Sequence, residues 1–262
     1  MKNYKGFAVA ALLASLMVLN GLAASLAPEV ETLYGRVLGE RLEYDAGVIH
    51  RYLGIPYSRP PTGERRFKPP QPPISWDGTR EANNFSPRCQ QYRSNYLFPE
   101  LEEVATFSED CLYLNIYTPD NAISNDALAV MVWIHGGSLT NGGASQYYGE
   151  AIVLGSDIIL VTINYRVGVF GFFTDGSEEA TGNAGMLDQI MALKWVKENI
   201  RSFRGDPDRV TIFGESAGGW SVSAHMISPM SRGLFKRAIA QSGALYSYPV
   251  ETNQIRSERY VI

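Results

Sequence analysis

Five consecutive residues, Gly214-Glu215-Ser216-Ala217-Gly218, set a serine hydroxyl between two glycines, after a β-branched run and before a helical one. Such a serine could attack a carbonyl carbon, provided that a base takes its proton and that donors receive the charge developing on the carbonyl oxygen. The G-x-S-x-G pattern alone would arise by chance in roughly one sequence in ten of this length, taking Gly and Ser at about 7% each. Its setting carries more. In a strand-to-helix turn the glycines permit a sharp, strained bend that lifts the hydroxyl out of the sheet, and the helix N-terminus offers N–H groups to an oxyanion. The alternative is a glycine-rich turn with an incidental serine. A second element, His135-Gly136-Gly137-Ser138, follows another apolar run. Where side chains are missing, its main-chain N–H groups can approach an oxyanion closely. Alone it reads as a tight turn after a strand; paired with the N–H of Ala217 it would form a three-donor oxyanion hole.

Both turns need a sheet to hold them. Residues 32–37 and 47–55 are rich in Val, Ile and Tyr and predict short strands of an antiparallel preface. Residues 56–73 carry Pro60, Pro61, Pro69, Pro70, Pro72 and Pro73, which deny ladder donors and predict an irregular surface strap. Beyond Cys111, apolar runs at 112–117, 129–134, 158–163 and 209–213 predict strands buried on both faces. Between the last two, Leu187, Ile190, Leu193, Val196 and Ile200 recur every three or four residues, predicting an amphipathic helix over 184–203. A further helix is expected at 220–227. Strand, helix, strand implies right-handed parallel crossovers. The predicted class is α/β, with a mostly parallel central sheet and helices on both faces.

Composition narrows the partners. The 262 residues carry 23 Lys+Arg against 27 Asp+Glu, 45% are hydrophobic, and no basic block occurs, so disorder and nucleic-acid binding are poor readings. Lys2 and Lys5 precede an apolar run at 6–19 followed by small residues. This predicts a signal peptide over about residues 1–24, short of the roughly twenty residues that span a bilayer. The protein is then expected outside the cytoplasm, secreted or in the secretory lumen. In that compartment Cys89 and Cys111 most simply form a local disulfide, worth roughly 3 kcal/mol in the chain-entropy model. His50, His135 and His225 lack metal-ligand spacing, so neither metal nor cofactor is assigned. Asn84-Phe85-Ser86 would suit N-glycosylation at Asn84, with Pro87 following it.

From about residue 28 to the end, the chain resembles the type-B carboxylesterase and cholinesterase-like family of α/β-hydrolases. The resemblance rests on GDPDRVTIFGESAGG (205–219), SEDCLYLNIYTP (108–119), GIPYSRPPTGERRFKPP (54–70), VTINYRVG (161–168), GNAGMLDQ (182–189) and QSGA (241–244), in the family's order. It implies that residues 25–262 are the N-terminal part of one α/β-hydrolase domain acting on small carboxylic esters. Ser216 would be the nucleophile; Gly137, Ser138 and Ala217 would lend N–H groups, with Gly136 shaping the hole. Glu215 would be a buried acid that tunes the site. Cys89 and Cys111 match the family's first disulfide, Arg66 and Glu109 look like its internal salt bridge, and His225 falls at a packing position on the helix after the nucleophile.

Two departures stand out. Most members have a glycine where this chain has Ser138, whose Cβ narrows the hole unless φ stays negative. The segment between the cysteines holds Tyr92, Tyr96, Phe98 and Phe107 but no tryptophan, the residue on which cholinesterases hold a quaternary ammonium, so choline esters are disfavoured. Only 46 residues follow Ser216. The family's acid and histidine come later than that, so the sequence is expected to be the N-terminal half of a longer enzyme. Residues 237–241 would then be an unpaired edge and the isolated chain inactive. The competing reading is a non-catalytic, cholinesterase-like binding protein or an inactive truncated product. Against it stands the intact serine turn.

Overall fold

A computed structural model describes residues 22–93, 105–120 and 127–245. Most of the expected signal peptide, together with Tyr96 and Phe98, lies outside them. Strands β1 (Leu22–Thr32), β2 (Gly35–Tyr44) and β3 (Gly47–Pro56) form an antiparallel meander. The strand expected at 32–37 is instead the first hairpin: Thr32 pairs with Gly35 across Leu33 and Tyr34. Gly35 has φ 144°, Thr32 Oγ1 donates to the Gly35 carbonyl at 2.7 Å, and Leu33 N–H reaches Asn199 Oδ1 at 2.8 Å. Tertiary partners thus turn a segment whose side chains favour a strand.

The strap at 57–73 has only one 3-10 turn, Gly63–Arg65, as regular structure. After it come β4 (Thr79–Glu81), parallel to β2, and the two-stranded pair β5 (Arg88–Cys89) and β6 (Phe107–Ser108). The remaining elements are β7 (Tyr113–Pro119), β8 (Leu128–Ile134), α1 (Glu150–Val153), β9 (Ile158–Ile163), α2 (Gly168–Phe172), α3 (Ala184–Asn199), β10 (Gly205–Glu215), α4 (Ala217–Ile227) and β11 (Arg237–Gln241). Strand order is β1-β2-β3-β7-β9-β8-β10-β11. The β9-β8-β10-β11 core is parallel, while β7 runs antiparallel to both β3 and β9. The parallel part is thus narrower than the apolar runs suggested.

Alternate residues of the strands enter two apolar clusters. Val130, Val132 and Ile134 of β8 join Ile159, Val161 and Ile163 of β9 against Trp195 and Val196 of α3 and Val222 of α4. On the other face Leu160, Tyr117 and Phe213 meet Val153 of α1, with Met131 and Trp133 half-buried. Helices therefore cover both faces, but the second less completely. Each fully buried aliphatic side chain here stabilises by about 1.5–3 kcal/mol.

The predicted helix forms as α3, and residues 200–203 continue it as a 3-10 turn. It is not amphipathic. Asp188, Gln189 and Asn199 are buried with its apolar residues, because each is consumed by a hydrogen bond. Asp188 takes Arg166 through Nε–Oδ2 at 2.8 Å and Nη2–Oδ1 at 2.7 Å, and Arg166 Nη2 also donates to the Lys68 carbonyl at 2.9 Å. This pair ties the strap to α3 beneath the parallel sheet.

Strand β8 lies between β9 and β10. The chain leaves β8 for β9 on one side and later crosses to β10 on the other, so the loops after β8 and β10 diverge from a switch point in the sheet. In open α/β sheets, ligand crevices lie at the carboxyl ends of the strands at such a point.

Candidate active site

Ser216 occupies the single step between β10 and α4, with φ 56° and ψ −120°. These angles belong to the first corner of a type II′ turn, where glycine is usual; holding serine there costs on the order of 1–3 kcal/mol. The surroundings enforce it. Ser216 N–H donates to the Gln241 carbonyl at the end of β11 at 2.8 Å, and the Ser216 carbonyl accepts from Trp220 N–H at 2.9 Å. Backbone also closes on the turn directly: a Cβ at Gly218 would stand 2.0 Å from the Ile134 oxygen, and one at Gly243 2.0 Å from the Ser216 oxygen. The helix begins at Ala217, three residues earlier than its apolar pattern suggests, so the N–H of Ala217 belongs to a helix N-terminus.

The loop after β8 lies against this turn, with the Gly136 Cβ position 3.3 Å from Ser216 Cβ. Three successive carbonyls fix its peptide planes. His135 O accepts from the Tyr165 hydroxyl at 2.8 Å, Gly136 O bonds His135 Nδ1 at 2.8 Å, and Gly137 O accepts from the N–H groups of Thr140 and Asn141 at 2.9 and 3.1 Å. A trans peptide is planar, so each held carbonyl points the next N–H, those of Gly136, Gly137 and Ser138, the opposite way. Among the described residues the N–H groups of Gly137, Ser138 and Ala217 donate to no backbone or side-chain acceptor.

Ser138 sits at φ 56° and Leu139 at φ 61°. The negative φ that would keep the Ser138 Cβ clear is therefore not adopted, and this left-handed conformation costs about 1–2 kcal/mol for an L-residue.

Glu215 differs from its expected place. It is exposed, because it lies one residue beyond the last pairing of β10 with β8, Gly214 to Ile134, where the cover ends. Its carboxylate instead lies over Gly136, with Oε2 3.2 Å from the Cβ position there. Nearby, burial pushes the Tyr147 phenol upward, and the negative charge of Glu215 adds to the rise.

None of the histidines is placed to serve as a base. His50 Nε2 pairs with Asp120 at 3.1 Å. The His135 ring is buried, stacks on Tyr165 with centroids 4.2 Å apart, and uses Nδ1–H on the Gly136 carbonyl. His225 is buried on α4, where Nε2 meets Gln189 Oε1 and Nδ1 meets Ser231 Oγ, both at 2.8 Å. The amide oxygen can only accept, so Nε2 carries the proton. Gln189 Nε2 in turn donates to Ser221 Oγ at 3.2 Å, and Ser221 Oγ to the Ala217 carbonyl at 3.0 Å. The chain of bonds ends on the residue beside the serine. Sequence reasoning found neither Tyr165 nor Gln189, because no spacing links them to the loops they hold.

Burial lowers the imidazoles of His135 and His225 to about 4. In the unfolded chain they would titrate near 6.5. Below that pH the unfolded chain binds protons that the folded one refuses, so stability is full above about 6.5 and falls as pH drops toward 4. Each group contributes up to about 1.4 kcal/mol per pH unit. Urea midpoints from pH 7.5 to 4.5 test this, with His225→Gln expected to flatten the slope by one group's share; identical slopes in variant and wild type would refute neutral burial of His225.

The remaining candidates are spread around the site. Cys89 and Cys111 are disulfide-bonded, and Arg66 is paired bidentately with Glu109, Nε–Oε2 at 2.5 Å and Nη2–Oε1 at 2.6 Å. Asn84 is exposed, with its Nδ2 on Asn83 Oδ1 at 2.7 Å. Among the described residues no cluster of three or more His, Cys, Asp or Glu could hold a metal ion, and no helix is long and apolar enough to cross a membrane.

The profile of the carboxylesterase family matches residues 26–260. The medium-chain fatty acyl-CoA hydrolase precursor of Anas platyrhynchos is 46% identical over 247 residues, which are 88% of this chain and 44% of the relative. Liver carboxylesterase 1 of Oryctolagus cuniculus is 49% identical over 84% of this chain and 40% of its own length. The cocaine esterase of the same species is 50% identical over 83% and 42%. The chain thus spans about two fifths of the length of these relatives.

Proposed function

Because the chain belongs to the carboxylesterase family, we propose that it carries the nucleophile and oxyanion-binding loop of a serine hydrolase acting on carboxylic esters. On this reading Ser216 Oγ adds to the ester carbonyl carbon as its proton is taken off, and that proton ends on the departing alcohol. The oxyanion of the tetrahedral adduct takes N–H donors from Gly137, Ser138 and Ala217, the alcohol leaves as the C–O bond breaks, and water then cleaves the acyl-Ser216 ester. The observation that carries the proposal is the serine turn itself, a left-handed Ser216 pressed against a loop in which the three successive carbonyls of His135, Gly136 and Gly137 are each hydrogen-bonded. With all three histidines engaged elsewhere, the reading gives this chain no general base of its own.

The names of the relatives span ester and acyl-CoA hydrolysis, which supports acyl transfer to water as the reaction class. The leader at Lys2 to Leu19, the disulfide and the exposed Asn84 support a secretory-pathway protein glycosylated at that asparagine. The test is covalent: a fluorophosphonate should label the protein made from its natural transcript, with the adduct on the tryptic peptide containing Ser216. Absence of labelling would favour the binding-only alternative.

A further inference from the structure

We propose that Gln91 is a positioning residue for the oxyanion loop, a role that rests on the reading of Ser216 and that loop given above. Gln91 lies two residues after Cys89, outside both catalytic turns. Its side-chain amide makes both polar contacts available at one residue of the loop: Gly142 N–H donates to Gln91 Oε1 at 2.7 Å, and Gln91 Nε2 donates to the Gly142 carbonyl at 2.7 Å. The same Nε2 donates to the Cys89 carbonyl at 2.9 Å. A side-chain amide here takes the place of a neighbouring strand. It joins the loop to a segment that the disulfide fastens to Cys111, at the foot of β7.

What Gly142 touches makes the clamp consequential. Its φ is 110°, and a Cβ there would stand 2.5 Å from His135 Nδ1 and 2.6 Å from the Gly136 oxygen. Gly142 is thus the wall behind the His135 to Gly136 hydrogen bond, the bond that orients the N–H of Gly137. The next residue, Gly143, packs on the Arg88 side chain, and Arg88 Nε donates to Ser145 Oγ at 2.9 Å. Residues 88–91 therefore brace the far arm of the loop along its length, whereas Tyr165 braces the near arm through His135. Without the Gln91 bonds the far arm is held only on either side of Gly142, by Asn141 N–H on the Gly137 carbonyl and by Ala144 N–H on Asn164 Oδ1, so the wall behind the His135 to Gly136 hydrogen bond loses its own anchor. Donors aimed at a developing oxyanion lose their effect with small misplacements, because the contribution comes from preorganised geometry.

The experiment compares wild type with Gln91→Ala and the nearly isosteric Gln91→Glu, all made as the full protein from its natural transcript. For hydrolysis of a p-nitrophenyl ester, kcat is expected to fall about 10- to 100-fold in Gln91→Ala while KM stays within about threefold, since the substrate is bound but its oxyanion is not received. Gln91→Glu keeps the acceptor for Gly142 N–H but sets a carboxylate oxygen against the carbonyls of Gly142 and Cys89, so its kcat should fall at least as far as that of Gln91→Ala. A fall in thermal midpoint with kcat unchanged in both variants would overturn the proposal. Amide hydrogen exchange over 136–143 decides the clamp independently of turnover. It should quicken in Gln91→Ala, and unchanged protection would likewise overturn it. If wild type neither labels at Ser216 nor hydrolyses esters, the enzymatic reading falls and the exchange result alone decides whether Gln91 holds the loop.

Discussion

In the full protein made from its natural transcript, Ser216→Ala is expected on the proposed reading to lower ester turnover by about four to six orders of magnitude while changing the free energy of unfolding by less than about 0.5 kcal/mol. The first half follows from chemistry: without Oγ there is no acyl-enzyme, and the residual rate is whatever the oxyanion donors and substrate binding sustain for attack by water. The second half follows from the backbone. Alanine meets the same left-handed penalty at φ 56° as serine does, and the bonds that enforce the turn run through the main chain to Gln241 and Trp220, so the substitution removes no structural contact. Turnover of p-nitrophenyl butyrate and urea unfolding measured on the same samples check both halves. Activity within tenfold of wild type would assign the chemistry to another residue.

The second large effect concerns stability. Asp188→Ala is expected to destabilise by about 3–5 kcal/mol, because it leaves the Arg166 guanidinium charged and almost wholly buried, with only the Lys68 carbonyl to receive it. The opposite deletion should cost less. In Arg166→Met the orphaned Asp188 can escape its predicament by taking up a proton, as burial already favours, whereas arginine cannot release one. The double variant Arg166→Met with Asp188→Leu should recover much of the loss. Urea unfolding at pH 7 gives the ordering; a cost below about 1 kcal/mol for Asp188→Ala would mean that water reaches the pair. The consequence extends beyond the pair, since Asp188 precedes Gln189, whose bonds to His225 and Ser221 lead to the carbonyl of Ala217.

The serine turn was legible because all its requirements are local: a strand, two glycines and a helix within a dozen residues. The strands β3, β8 and β9 and the long helix were legible for a similar reason, their residue types agreeing with their environment. The hairpin at 32–35 was not, since β-branched and aromatic side chains there favour extension while the bend is imposed by Asn199, far away in sequence, and by Trp76, whose ring fills the space a Cβ at Gly35 would need. Strand direction was equally hidden. The apolar run that becomes β7 has the composition of a parallel strand, and composition does not state which way a strand runs. The burial of Asp188 and Gln189 was hidden as well, because their partners, Arg166 and His225, come from other elements. Glu215 shows the reverse limit: its neighbour in sequence fixed its place beside the serine, but not how much of the molecule covers it.

The pairing of β8 with β10 joins Ile134 to Gly214 and so sets two loops side by side that are remote along the chain. Contacts between such distant segments must repay loop-closure entropy before they stabilise anything, so they tend to form late in folding. The left-handed serine and its facing amides are therefore expected to form late in folding. On the proposed reading of Ser216, reactivity toward acyl groups would then come only with the finished sheet, since the hydroxyl and the amides that face it are brought together by that one pairing of strands.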